Sequence, residues 1–365
     1  MRRISLDEPP ETAIGKQELK TRIVFVDTGV FEKELFDWKG TTLSSLMSLA
    51  KKRQILLTTT EITQREISDR IRSRLNEAAG AATKVRSQLA ILKAAPGKRN
   101  TALEFKSEEL AAKIISGQKR FFKGSRAKMI AVYSDAEAIF DDYFNRKKPF
   151  GDGKKKNEFP DAFVIHGLRK YCSATGGSMY VVSLDGDMLS ACGDKLIAEP
   201  DLDALISRFN LVDPTAELSR LPELVDSRRD QISKFVERRF PELGFWLDDQ
   251  DGDVEDVVVA GVEIEDVLVL EKKVSSLVLE IIVNVGFTAE LTFWDPDTAS
   301  YDEGDIMYLD QVAESVEREE TVRLSAICRF DRTKHEPSVT LEKLKIEEPL
   351  DVTVSSNRSD PTYLK

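Results

Sequence analysis

Short apolar runs alternate with longer amphipathic stretches in the first part of the chain. The runs IVFVD (23–27), QILLTT (54–59) and MYVVSLD (179–185) have the length and β-branched content of buried strands. A further short strand begins near residue 195. Strands separated by helices predict a parallel sheet covered on both faces. Helical spacing of apolar residues predicts the helices at 41–53, 62–95, 107–145, 161–174 and up to residue 209.

The pattern changes after the acidic stretch LDDQDGDVED (247–256). Beyond it, apolar residues alternate with polar ones in runs separated by turn residues, which is typical of antiparallel strands. The predicted organisation is a flexible leader (1–21), a parallel-sheet α/β domain (22–210) with a helical insertion (about 70–150), a helical linker (211–250), an acidic β domain (251–354) and a disordered tail (355–365).

Composition limits where the protein is expected to work and which chemistry it can use. The N-terminal stretch lacks the apolar core of a signal peptide, and no run approaches the roughly 18 apolar residues of a membrane span. We therefore expect a cytoplasmic protein. The three cysteines are widely spaced, which predicts neither a disulfide framework nor a zinc site. With two histidines in the chain, histidine-based catalysis is not expected.

Charge is distributed unevenly around the net value of −11. Residues 51–156 contain 25 Lys and Arg against 12 Asp and Glu, whereas residues 199–365 contain 18 against 39. A basic block can approach a polyanion, and an acidic block does so less readily. Nucleic acid is therefore the partner expected for the first block. The acidic β domain could bind a partner protein, shield the basic surface or associate with a second copy, and its pattern does not choose among these.

Acidic residues follow the predicted strands of the α/β domain. Asp27 ends the first strand, Asp185 and Asp187 follow the strand VVSL, and Glu66 and Asp161 lie near the starts of helices. In an open parallel sheet, ligands bind outside the carboxyl ends of the strands. Several acids gathered there would repel one another unless a cation neutralised them. The pattern predicts an all-oxygen Mg²⁺ or Mn²⁺ site suited to phosphoryl hydrolysis.

Each acid also has a purely structural interpretation. An Asp after a strand often belongs to a turn or caps a helix. Glu66 could be the partner of Thr63 in a capping box, and Asp161 could complement the dipole of its helix. The order of the acids in one α/β unit favours the joint site over these separate explanations.

Four motifs resemble the acidic motifs of PIN-domain nucleases: VFVDTGVF, TTTEITQREI, EFPDAFVIHGL and YVVSLDGDM. The resemblance covers about residues 22–210 and implies a three-layer, Rossmann-like fold. It further implies that Asp27, Glu66, Asp161 and Asp185 are the catalytic metal ligands, with Asp187 as an additional aspartate.

The resemblance also implies an activity. Such domains hydrolyse RNA phosphodiesters with divalent metal, often as toxin nucleases, so RNA is favoured over DNA by resemblance alone. Gly29 departs from the family, which commonly has Asn or Ser there to support the site.

The residues argue against an aspartic protease and leave two other functions open. Asp27-Thr28-Gly29 is also how an aspartic protease presents a carboxylate, but such an enzyme needs a second carboxylate, and the chain has no second Asp-Thr-Gly or Asp-Ser-Gly. The residues also allow a catalytically silent nucleic-acid-binding module or a structure-specific DNA nuclease. The lysines flanking the loop before Asp161 are predicted to steer the nucleic acid, or else are simply solvated; they are Lys147, Lys148, Lys154, Lys155 and Lys156.

Overall fold

The protein forms two compact units, Gln17–Phe209 and a second unit containing Asn210–Lys365. Most of the leader predicted at 1–21 and the whole tail at 355–365 lie outside the described residues. Among the residues described, no helix is long and apolar enough to cross a membrane. The computed structural model describes residues 19–88, 106–132, 136–150, 158–193, 195–211, 221–247, 252–273, 275–294, 299–302, 305–308, 311–314, 320–331, 333, 338–346 and 350–352.

The first unit is built on a five-stranded parallel sheet in the order β3-β2-β1-β4-β5. The chain runs outward from β1 to β2 and β3, then returns to pair β4 with the other side of β1. Such a reversal opens a crevice at the carboxyl ends of β1 and β4. The strands are β1 (Ile23–Val26), β2 (Leu56–Thr60), β3 (Lys128–Ile130), β4 (Met179–Val182) and β5 (Leu196–Glu199).

Helices cover both faces of this sheet. Val24 and Val26 pack into a core with α1–α4 and α8, whereas Phe25 points the other way into a core with α6 and α7. The predicted parallel sheet between two helical layers is therefore confirmed. The helices are α1 (Thr28–Lys33), α2 (Thr41–Lys51), α3 (Glu61–Gln88), α4 (Ser107–Gly124), α5 (Ala136–Phe144), α6 (Phe159–Thr175), α7 (Gly186–Ala191) and α8 (Leu202–Asn210).

The prediction of one helical stretch over 107–145 is wrong at its centre. Helix α4 ends at Gly124, where the Ser125 hydroxyl donates to the Phe121 carbonyl and Arg126 adopts a φ of 53°. The chain then forms β3, which pairs with the open edge of β2. A strand of three residues is too short to show an alternating pattern between two helical segments.

The second unit contains an antiparallel sheet, as predicted. Strand β8 pairs with β7, β11 and β12, and β12 pairs with β13. Its apolar face packs against α9 and α10, with Phe240, Phe245 and Phe287 in mutual contact. The remaining elements are α9 (Leu221–Asp226), α10 (Arg229–Arg239), β6 (Phe245–Leu247), β7 (Gly252–Lys272), β8 (Ser276–Trp294), β9 (Ala299–Asp302), β10 (Asp305–Tyr308), β11 (Gln311–Glu314), β12 (Glu320–Asp331), β13 (Ser338–Lys345) and β14 (Leu350–Val352).

Candidate active site

A cleft of about 830 Å³ opens at the carboxyl ends of β1 and β4. Four of the predicted acids line it: Asp27 after β1, Glu66 on α3, Asp161 on α6 and Asp185 after β4. Parallel pairing of β1 with both β2 and β4 brings these residues together, although up to 158 positions separate them in the sequence. Three further acids, Asp69, Glu77 and Glu158, also line the cleft.

Asp27 is held by hydrogen bonds from three directions. The Ser183 hydroxyl donates to Asp27 Oδ2 at 2.9 Å, and the backbone N–H groups of Thr28 and Gly29 also donate to the Asp27 carboxylate. Burial nevertheless raises the pKa of Asp27 above its ordinary value, because desolvation outweighs these bonds and the nearby Asp185 adds repulsion. The same Ser183 oxygen accepts the Asp185 N–H at 3.0 Å, which ties the two acidic loops together.

Glu66 faces the cleft and does not form the capping box considered from the sequence. Helix α3 begins at Glu61, and the Thr63 N–H donates to the Thr60 hydroxyl at 3.0 Å, so the chain before Glu66 is already helical. The Glu66 carboxylate accepts the Thr28 hydroxyl at 3.0 Å. Burial and the charge of Asp27 raise the pKa of Glu66, partly offset by the bond from Thr28.

Asp161 lies in the first turn of α6, where the helix dipole alone would favour its ionised form. Instead its pKa is raised to about 8. Burial is the largest cause, followed by repulsion from Asp27, a hydrogen bond shared with Glu158 and repulsion from Glu66. Dipole complementation therefore does not account for an acid at this position.

Asp185 and Asp187 occupy different surroundings. Asp185 lines the cleft and also caps α7, since its Oδ1 accepts the Asp187 N–H at 2.7 Å. The Asp187 side chain forms an ion pair with Lys148 and is not among the residues that line the cleft. The structure thus brings four of the five predicted metal ligands to one cleft and places Asp187 beside it.

The donor set of this cleft fits a hard divalent cation. All its acids offer oxygen, and the raised pKa values of Asp27, Glu66 and Asp161 reflect repulsion and burial that a bound cation would relieve. In the part of the chain that is described, no group of three His, Cys, Asp or Glu side chains is placed so that it could hold a metal ion as it stands.

Among the described residues, the basic side chains that line the cleft belong to α3 and not to the lysine-rich loop predicted from the sequence. Lys147 pairs with Asp142 at 3.2 Å and Lys148 pairs with Asp187, and neither lines the cleft. Lys154, Lys155 and Lys156 lie outside the described residues. Arg70 and Arg74 of α3 do line the cleft.

Three neighbours of the acids escaped sequence reasoning. Ser183 and Thr28 orient acids that lie far away in sequence, and no local pattern marks such a role. Glu158 could have been found, because it precedes Asp161 by one helical turn. The helical spacing of Glu66, Arg70 and Arg74 likewise places all three on one face of α3.

Comparison with known proteins identifies the first unit. Residues 24–188 match the family model described as PIN domain, a span that contains the whole acidic cleft. A search of curated proteins finds no match to the chain. PIN domains have a nuclease-type fold, generally use divalent metals and generally act as nucleases. The part of this chain from residue 24 to residue 188 is a PIN domain.

Proposed function

We propose that this protein is a Mg²⁺- or Mn²⁺-dependent endoribonuclease that hydrolyses phosphodiester bonds of RNA. The observation that carries the proposal is the cleft of the PIN domain, where Asp27, Glu66, Asp161 and Asp185 converge from four different elements. A divalent cation held by these carboxylates would supply the charge that activates an attacking water and stabilises the phosphoryl transition state.

The surrounding residues have distinct parts in this proposal. Ser183 and the backbone at 28–29 fix the direction of the Asp27 carboxylate, and Thr28 fixes that of Glu66. Burial, the neighbouring acids and the hydrogen bond with Glu158 raise the pKa of Asp161 to about 8, so binding of a cation at this carboxylate would be coupled to release of its proton. Preorganised donors of this kind keep the acids in place at little entropic cost when the substrate binds.

Arg70 and Arg74 supply the cationic side of the same cleft. Arg74 Nε lies 2.6 Å from Glu32 Oε1, and Arg70 Nε lies 3.8 Å from Glu32 Oε2, so one carboxylate of α1 directs both side chains. A guanidinium binds phosphate oxygens in a planar, two-point geometry. These arginines would hold the RNA backbone beside the acids.

The test is cleavage of labelled RNA and DNA strands by the purified protein with Mg²⁺, with Mn²⁺ and with chelator. We expect metal-dependent cleavage of RNA in preference to DNA, reduced at least about a hundredfold in Asp27→Asn and Asp161→Asn. Asp69→Asn removes an exposed carboxylate from the rim of the same cleft and serves as the matched control. Cleavage that survives both test substitutions would overturn the site assignment.

The same assay, through its choice of RNA or DNA strands and of metals, distinguishes a ribonuclease from a DNA nuclease and from a silent binding module. Preferential cleavage of DNA would identify a DNA nuclease, and salt-sensitive binding without cleavage under any metal would identify a silent binding module.

The resemblance also suggests a toxin or defence role in the cytoplasm, which three free cysteines suit. Growth arrest on expression of the wild type and not of Asp27→Asn would support that role, and equal growth would count against it.

A further inference from the structure

Aromatic side chains cluster where α5, the turn after it and the start of α6 meet. Phe159 contacts Phe140, Tyr143 and Phe150 at ring-centroid distances of 5.8, 5.1 and 5.0 Å. Phe144 extends the cluster by contacting Phe140 and Tyr143. One end of the cluster is buried, because Phe150 is 1% exposed. The opposite end is an open top, because Phe140 and Phe144 are 50% and 76% exposed.

The open top consists of two neighbouring aromatic rings. Phe140 and Phe144 are one helical turn apart on α5, and their rings are stacked with an interplanar angle of 28° and a centroid distance of 6.4 Å. Single exposed apolar residues are common on protein surfaces and need no explanation. Phe140 and Phe144 lie next to each other and also contact Phe159 and Tyr143, so together they form an exposed apolar surface that water solvates poorly.

Two structural links place this surface beside the acidic cleft. Phe159 stands between Glu158 and Pro160, and both of these residues line the cleft together with Asp161. On the other side, Lys148 follows α5 and pairs with Asp187, the second residue after Asp185. The aromatic surface is therefore linked to the cleft through Phe159 and through the Lys148–Asp187 ion pair.

We propose that Phe140 and Phe144 form a base-stacking platform that selects single-stranded nucleic acid as the substrate. This inference rests on the proposed nuclease function and deepens it. Every base has an apolar π face, and a base can stack on a protein ring only after it has left the stack of a duplex. Lys147 and Lys148 follow the platform along the chain and are exposed over 64% and 47% of their side chains. A phosphate group could reach them in exchange for their ion pairs with Asp142 and Asp187.

The experiment measures binding of a fluorescently labelled, single-stranded RNA oligonucleotide by anisotropy, with chelator present so that no metal-dependent cleavage occurs. The proteins are the full-length wild type, Phe140→Ala, Phe144→Ala and Phe144→Tyr. The matched control is Val85→Ala, which truncates another exposed apolar residue of the same unit. Val85 is 19 positions from Glu66 on α3, a distance of about 28 Å along the helix axis.

We expect each phenylalanine-to-alanine variant to raise the Kd by about fivefold or more, whereas Phe144→Tyr and Val85→Ala bind like the wild type. A duplex of the same sequence should bind more weakly and should not respond to the substitutions. A strand with abasic sites in place of its bases should bind the wild type and Phe144→Ala equally. Because Phe144 is mostly exposed, its substitution leaves the fold intact, which a thermal melt checks.

Three results would overturn the platform: a Kd unchanged in both alanine variants, tighter binding of the duplex, or no binding of any oligonucleotide. The outcome is separable from that of the proposed function. Loss of binding in Phe144→Ala, with no cleavage by the wild type under any metal, would support the platform and reject the nuclease. Metal-dependent cleavage with unchanged binding in both alanine variants would support the nuclease and reject the platform.

Discussion

At the level of single residues, the surroundings of Asp161 oppose its charge. Its carboxyl has a pKa of about 8 in the folded protein against an ordinary value of 3.8. The folded state therefore keeps a proton that the unfolded state has already lost between these two pH values. By linkage, Asp161 contributes stability that is present below pH 4 and is lost as the pH rises through 8.

We predict that Asp161→Asn makes the metal-free protein more stable at alkaline pH. The asparagine amide can still donate to Glu158 but cannot ionise, so at pH 8.5 the variant should exceed the wild type in free energy of unfolding by roughly 1 kcal/mol or more. Denaturant unfolding in chelator at several pH values measures this. The difference should shrink toward pH 4.

Asp69→Asn controls for the loss of one negative charge from the rim of the cleft, and it should not reproduce this trend with pH. A gap between Asp161→Asn and the wild type that stays constant from pH 5 to pH 9 would contradict the prediction. In that case the Asp161 carboxyl would ionise near its ordinary pKa in the folded protein.

The sequence predicted which acids meet at the cleft but not which side chains hydrogen-bond to them. Asp27 and Asp185 follow strands, and Glu66 and Asp161 lie near the starts of helices, so their meeting follows from sheet topology. Ser183 could not be predicted, because its bond to Asp27 depends on the pairing of β1 with β4 across 156 positions. That bond gives Asp27 a supporting hydroxyl from Ser183, whereas the family commonly has a supporting Asn or Ser at the position of Gly29. A Cβ added at Gly29 would meet nothing closer than Asp27 Oδ2 at 3.8 Å, so space does not require glycine there.

At the level of elements, one face of α3 combines both charges that a phosphodiesterase needs. Glu66, Arg70 and Arg74 repeat every fourth residue and all line the cleft. Arg72 lies on the same helix, outside the cleft lining, and pairs with Asp69 at 3.3 Å. The helix thus offers two arginines at the site and a third as an internal control.

We predict that Arg70→Ala and Arg74→Ala raise the KM for RNA about tenfold with a smaller effect on kcat, because they remove charged contacts to the phosphate backbone. Each should also reduce the slope of log affinity against log salt by about one. Arg72→Ala makes the same change of charge and should leave KM near the wild-type value. Steady-state cleavage at two salt concentrations makes the comparison, and equal effects of all three substitutions would show a general charge effect and no contact.

Strand β3 shows where element prediction failed. Periodicity found β1, β2, β4 and most helices because each presents several apolar residues at one spacing. The stretch KMIAVY contains only three paired residues, Lys128–Ile130, and helical segments lie on both sides of it. Its strand state is stabilised by the backbone partners of β2, which are 70 positions away in sequence.

At the level of the whole molecule, the protein keeps mutually repelling acids inside a chain that is already negatively charged. The net charge is −11, and the cleft holds Asp27, Glu66, Glu158, Asp161 and Asp185 within one unit. A ligand that binds only the folded state stabilises it in proportion to the logarithm of its concentration over its Kd. A divalent cation should therefore stabilise the fold measurably, independently of any substrate.

We predict that Mn²⁺ or Mg²⁺ raises the Tm of the wild type at pH 7, with about 2.7 kcal/mol of stabilisation at a hundred times the Kd. Asp27→Asn should abolish most of this shift, because it removes a carboxylate from the centre of the cleft. Asp187→Asn is the discriminating variant. Its carboxylate pairs with Lys148 and lies outside the cleft lining, so the metal-induced shift should persist. If Asp187→Asn loses the shift as completely as Asp27→Asn, then Asp187 is a ligand as the family resemblance implies, and metal binding must break its pair with Lys148.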